Sequence, residues 1–206
     1  FSHGLWKVIP MLIVSYGVGL GIEFAFAIWR NHEVNEGYLV SGMLIPLIMP
    51  IDLPLWMLAL SVVFAVVLGK EVFGGTGMNI FNPALLARAF AFFAYPTFMS
   101  GDKVWVSDAL TVDGLSGATI LGSLAQNIES TYSTLDMFLG FIPGSMGETS
   151  KLAILIGAIL LIITGVGSWR IMLASVIGAV ITVLLFNMLG LNALMNFSWY
   201  NHLLVG

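Results

Sequence analysis

The 206-residue chain is 59% hydrophobic and only 9% charged, with a formal net charge of −4 and no cysteine, and its mean hydropathy is +1.00. A soluble domain carries about 25% charged residues, so lipid must be the solvent for much of this chain. The acidic balance excludes nucleic-acid binding, which needs clustered Lys and Arg, and the lack of cysteine excludes disulfides, thiolate-held iron–sulfur clusters and cysteine nucleophiles.

The first predicted span covers residues 5–29 and ends in a polar break, Arg30-Asn31-His32-Glu33-Val34-Asn35-Glu36-Gly37. The next apolar stretch, 38–50, is interrupted by Pro46. It is too short for the ~30 Å of a full crossing and is expected to be a broken or re-entrant helix. Asp52 and Pro54 mark a turn into a span over 54–69, closed by Lys70-Glu71. A glycine-rich connection, Gly74-Gly75-Thr76-Gly77, leads through Asn82-Pro83-Ala84 into an apolar, aromatic stretch over 81–96. Residues 97–150 turn polar and carry no long apolar run, so they are expected to form one loop. Further spans are predicted at 151–164 and 171–189, and Trp199, Tyr200 and His202 suggest an interfacial belt opening another. With no opening Met and an end at Val205-Gly206 as this last stretch begins, the chain reads as an excised piece of a longer membrane protein.

Arg30, Lys70 and Arg170 fall at alternate connections, while the long loop carries Asp102, Asp108, Asp113, Glu129, Asp136 and Glu148. Basic residues favour the cytoplasmic side, so the loop is expected outside. His3, His32 and His202 are far apart in sequence and read as solvated or capping residues, and no residue is assigned to a metal.

Three places carry residues able to do chemistry. Asp113-Gly114-Leu115-Ser116-Gly117-Ala118-Thr119 sets two hydroxyls among small neighbours. That pattern suits either a turn with Ser or Thr capping a helix from Ile120 or a modification or phosphate site. Glycines 74, 75 and 77 suit a helix–helix junction, but Asn79 and Asn82 are amides at membrane depth, where polar groups need partners. Glu23 follows Gly17, Gly19 and Gly21 deep in the first span. A carboxylate there points to an ion path, a proton relay or a buried pair, unless it reaches the interface near Arg30. The aromatics Phe90, Phe92, Phe93 and Tyr95 read as packing against lipid, and Asp52 as structural.

Asp-Gly-Leu-Ser-Gly-Ala-Thr at 113–119 resembles the flavinylation motif of a family of membrane redox subunits. The family holds the B subunit of the Na+-translocating NADH:quinone reductase and the D subunit of the Rnf complex. The stretches 32–37, 70–77, 90–96, 142–145 and 147–150 also resemble the quinone reductase member, whereas the Rnf relative is similar chiefly in the flavin motif and the Gly-rich/Asn-Pro-Ala region. Met78 departs from the resembled pattern, which usually has Lys before Asn79.

The resemblance implies covalent FMN on Thr119 through a phosphoester, attached by a flavin transferase outside the bacterial inner membrane. It also implies riboflavin held noncovalently near Asn79 and Asn82, whose amides suit the polar edge of an isoalloxazine, and an ion or quinone path near Glu23 and Gly19. Implied partners are other subunits of the redox complex, ubiquinone and the bilayer, with Na+ as the transported ion.

The expected fold is all-α and integral to the membrane, a multi-span bundle with broken or half-length helices. The resemblance implies inverted repeats similar to urea transporters, of which this chain would hold one and the start of the second. Asn82-Pro83-Ala84 also resembles an aquaporin motif, so a passive channel stands as an alternative, beside an Rnf-type subunit and a non-catalytic scaffold.

Overall fold

Each apolar run becomes a helix, and local chemistry sets where the helix stops. In the computed structural model, residues 5–34, 36–99, 119–125, 132–190 and 193–205 are described. They divide into two compact units, Phe1–Gly117 with Ser145–Gly147 and Ala118–Gly144 with Glu148–Gly206. Among the described residues there is no strand. Three helical segments among the described residues are long and apolar enough to cross a membrane.

In the first unit, α1 (Leu5–Arg30) has 26 residues, about 39 Å at 1.5 Å per residue and more than the hydrocarbon core requires. Asn31 ends it in a left-handed conformation (φ 53°), which lets the His32 amide donate back to the Ala27 carbonyl at 3.2 Å. Its buried residues, Val8, Met11, Ser15, Gly19, Glu23 and Ala27, recur every three or four positions and so form one face. Glu23 therefore sits on the packed face, and Gly17 and Gly21 do not: a Cβ at either would meet nothing within 4 Å.

The second helix, α2 (Tyr38–Ile48), has 11 residues, about 17 Å and roughly half a crossing. It begins against the middle of α1. The Tyr38 hydroxyl donates to the Ser15 carbonyl (2.9 Å), Ser15 Oγ donates to the Gly42 carbonyl (2.9 Å), and the Tyr16 hydroxyl donates to the Leu39 carbonyl (2.7 Å). Away from water, side-chain donors find backbone acceptors on the neighbouring helix. Gly19 makes the contact possible, since a Cβ there would overlap the Tyr38 ring.

Helix α3 (Leu55–Gly69) starts after Pro54 and continues into a 3-10 turn, Glu71–Phe73. Its buried residues include Leu58, Ser61, Val62, Ala65 and Val66. Helix α4 (Pro83–Ala94) is opened by Asn82, whose side-chain oxygen accepts from the amides of Ala84 and Leu85. The small residues Ala84, Ala87 and Ala91 let α4 approach closely. Gly69 on α3 leaves room for the Leu86 side chain. Of the aromatic run, Phe90 stacks on Phe64 (centroids 4.4 Å) and Tyr95 meets Trp56 edge-on. Phe92 and Phe93 face outward. A short helix, α5 (Pro96–Met99), follows.

In the second unit, α6 (Ile120–Ala125) and α7 (Thr134–Leu139) lie within the stretch expected to be one loop. Ser133 and Asp136 form a capping box on α7, and Gly140 (φ 94°) closes it. A small core joins Ile120, Leu124, Met137 and Ile142, with Phe197, Leu204 and Val205 packed against it. Helices α8 (Lys151–Ile163) and α9 (Trp169–Leu189) bury no residue within the chain although both are almost wholly apolar, as a lipid-bathed surface requires. Gly165 (φ 73°) turns the chain between them. Helices α10 (Ala193–Asn196) and α11 (Trp199–Val205) end the unit.

Candidate functional site

Two ion pairs set the direction of the helices in the first unit. Lys7, near the start of α1, pairs with Asp52 just before α3. Glu23, far along α1, pairs with Lys70 just after α3. Helices α1 and α3 therefore run parallel, which puts the Arg30 and Lys70 ends on the same side. The chain returns between them through α2 and the bend Met49–Pro54.

The Glu23–Lys70 pair is deeply buried: each residue is 4% exposed. Lys70 also lies over the Tyr38 ring, with Nζ 5.8 Å from its centroid. Beside it, Glu71 is 3% exposed, and its Oε2 has no hydrogen-bond partner among the described residues. Glu23, Glu71, His32, Glu33, Val34, Gly74, Gly75 and Thr76 line one cavity of about 270 Å³. Two stretches far apart in sequence, the break after α1 and the glycine-rich connection after α3, thus meet at the carboxylate in the first span. Gly74 and Gly75 have φ of 124° and 93°, a conformation that glycine adopts without strain.

Lys70, which the sequence offers as a loop cation, is buried and paired with Glu23. Glu23 is a buried pair and not an interfacial side chain beside Arg30, which instead lies over the Phe26 ring at 5.3 Å. Gly19 packs against Tyr38, which accounts for a glycine there. Asp52 has the structural role expected of it, through Lys7.

The two asparagines stand apart from this cavity's lining. Asn79 donates its side-chain amide to the Phe81 carbonyl at 3.1 Å. Asn82 caps α4 at 2.9 Å to the Ala84 amide. Thr119 caps α6: its Oγ1 accepts from the Gly122 amide at 3.1 Å, and its carbonyl accepts from Ser123 at 2.9 Å. The rest of the flavin-like motif, Asp113, Gly114, Ser116, Gly117 and Ala118, lies outside the described residues.

Residues 2–206 match the NQR2, RnfD, RnfE family. The chain belongs to that family. It is 50% identical over 212 residues to the Na(+)-translocating NADH-quinone reductase B subunit of Chromohalobacter salexigens, covering 100% of this chain and 51% of that protein. The B subunit of the same enzyme from Ectopseudomonas mendocina is 47% identical over 213 residues, covering 100% and 52%, and that of Yersinia pestis is 48% identical over 209 residues, covering 96% and 50%. The chain spans about half the length of these relatives.

For an NQR2, RnfD, RnfE family member, the fold supplies residues that spacing and motif leave unmarked. The sequence offers Lys70 only as an orienting cation and gives Glu71, Tyr38 and Lys7 no role. Lys7, Lys70 and Glu71 share a legible signal, a charge at the edge of an apolar run, where burial or interfacial exposure are the two options.

Proposed function

We propose that this chain is part of the B subunit of a Na+-translocating NADH:quinone reductase, a membrane redox subunit that couples electron transfer toward ubiquinone to Na+ movement. The observation that carries the reading is the cavity at Glu23, where two stretches resembling that subunit converge on a carboxylate in a membrane span. Its sustained identity to proteins of that name supports it. An Rnf-type subunit is the second reading, favoured by membership of a family that includes RnfD.

In this reading Thr119 carries FMN through a phosphoester. The local geometry suits the tether: the cap uses Thr119 Oγ1 as an acceptor, a role that needs a lone pair and no proton. Gly122 has no side chain to crowd that oxygen, and a Cβ there would sit 3.1 Å from it. Riboflavin is assigned to Asn79 and Asn82. The cap employs the oxygen of Asn82 and the local turn employs the nitrogen of Asn79. The amino end of one and the carbonyl end of the other therefore remain for the donor–acceptor edge of a ring. Bound flavins would supply reversible one- and two-electron redox chemistry, which the protein positions and tunes. Glu23 and Gly19 belong to the ion or quinone path, the first by charge and the second by admitting Tyr38.

Other subunits of the complex, a flavin transferase for maturation and the bilayer of the bacterial inner membrane complete the setting, with the Thr119 loop on the external side. Co-expression with the transferase followed by ultraviolet illumination of the denatured protein band tests the assignment. A fluorescent band that Thr119→Ala abolishes is the expected result. A dark wild-type band beside an active transferase would remove covalent FMN from the reading.

A further inference from the structure

At the end of the first unit away from Glu23, a second cavity of about 290 Å³ lies between the start of α1 and the bend before α3. Apolar side chains form most of its wall, among them Met11, Ile51 and Leu53, which are buried. Lys7 and Asp52 supply its charges, one of each sign.

Position fixes the surroundings of this cavity. Lys7 is on the first turn of α1 and Asp52 lies three residues before α3, and the segments that begin there are long and apolar enough to cross a membrane. The cavity therefore sits at a boundary between hydrocarbon and water. Trp6 and Trp56 are 85% and 56% exposed at the same end, as suits indoles that rest among lipid headgroups.

The Lys7–Asp52 pair differs from the pair at the other end of the same two helices. Its side chains are 41% and 27% exposed, against 5% and 4% for Lys70 and Glu23. An exposed pair contributes little to stability, so opening it for a ligand costs little. The bond between them uses Oδ1 of Asp52. A carboxylate has a second oxygen and an ammonium has three donors, so each side chain keeps capacity for another group.

Such a place fits a molecule with two separated charges and an apolar tail. An anionic headgroup would gain Lys7 but meet Asp52 as well, so the pair discriminates against it. A headgroup with a phosphate and a primary ammonium satisfies both, the phosphate accepting from Lys7 and the ammonium donating to Asp52. A trimethylammonium has no N–H to donate. The volume is close to the ~300 Å³ lower end of small-molecule sites, enough for a headgroup whose acyl chains run out along the apolar helices.

We propose that this cavity binds the headgroup of phosphatidylethanolamine, which bridges α1 and the bend before α3 through Lys7 and Asp52. The site does not rest on the redox reading and requires only that the chain lie in a bilayer.

The full-length protein in detergent is titrated with phosphatidylethanolamine, phosphatidylcholine or phosphatidylglycerol of the same acyl chains. Bound lipid is counted by native mass spectrometry, and the unfolding temperature is recorded. The wild type should retain phosphatidylethanolamine several-fold more tightly than the other two and unfold at a higher temperature with it. Asp52→Asn, which leaves Lys7 as a lone cation, should reverse the order in favour of phosphatidylglycerol, and Lys7→Gln should lose the preference. Leu55→Trp adds bulk at the cavity wall and keeps both charges; it should weaken phosphatidylethanolamine binding, and it carries the test if Asp52→Asn does not fold. Equal retention of all three lipids by the wild type would overturn the site and leave only an annular shell. An Asp52→Asn protein that still prefers phosphatidylethanolamine would overturn it too. A merely structural ion pair would lower the unfolding temperature in every lipid alike and leave the order of lipids unchanged.

Discussion

The carboxylate of Glu23 on α1 and the ammonium of Lys70 after α3 form a buried ion pair, with each residue 4% exposed. Breaking such a pair from one side strands the other charge, at a cost of about 3–5 kcal/mol. Removing both avoids that penalty. In thermal unfolding without Na+, Glu23→Gln and Lys70→Met should each lower the midpoint markedly. The double variant should recover most of the loss. Additive losses in the double variant would show that the two charges are not coupled.

Gly19 and Tyr38 give a steric counterpart. A Cβ at position 19 would overlap the Tyr38 ring, which is 0% exposed and has no room to retreat. Gly19→Ala should therefore destabilise by about 1–3 kcal/mol, and Tyr38→Leu in the same chain should relieve part of that. Gly21→Ala is the control: its Cβ meets nothing, and Ala is favoured over Gly within a helix by about 0.5–1 kcal/mol. Equal losses at positions 19 and 21 would argue against the α1–α2 contact.

At Thr119 the observed cap and the proposed flavin tether are separable. Thr119→Asn keeps a side-chain oxygen for the start of α6, since Asn caps as well as Thr, but offers no hydroxyl to esterify. Its expected phenotype is a stable protein without in-gel flavin fluorescence. Gly122→Ala retains the hydroxyl and sets a methyl 3.1 Å from it, so reduced but detectable flavin is expected. Full fluorescence in Thr119→Asn would move the attachment elsewhere.

Asn82 caps α4 and is also proposed to hold riboflavin. Asn82→Ser preserves an oxygen to cap α4, whereas Asn82→Ala costs about 1 kcal/mol of cap energy. Both remove the amide N–H₂ assigned to riboflavin. Acid extraction should release less riboflavin from either variant, with a lower unfolding midpoint for the Ala protein alone. Unchanged riboflavin in the Ser protein would detach Asn82 from the cofactor.

What the amino-acid sequence determined by itself was local. Apolar runs located the helices, and the 11 residues of α2 agree with a stretch too short to cross. The capping role open to Thr119 could be read from its neighbours, because a cap is made within one turn of chain. The tertiary structure alone decided which face of each span is packed. A helix bathed in lipid is apolar all round, so the polar–apolar period that exposes the inner face of a soluble helix is lost. Nothing in the spacing of Gly17, Gly19 and Gly21 therefore shows that only the middle one meets an aromatic ring. Likewise, the partner of Glu23 lies 47 positions away, and the two meet only because α2 brings the chain back and sets α3 parallel to α1. Charge cannot stay unpaired at that depth, but which opposite charge answers it is a matter of long-range packing.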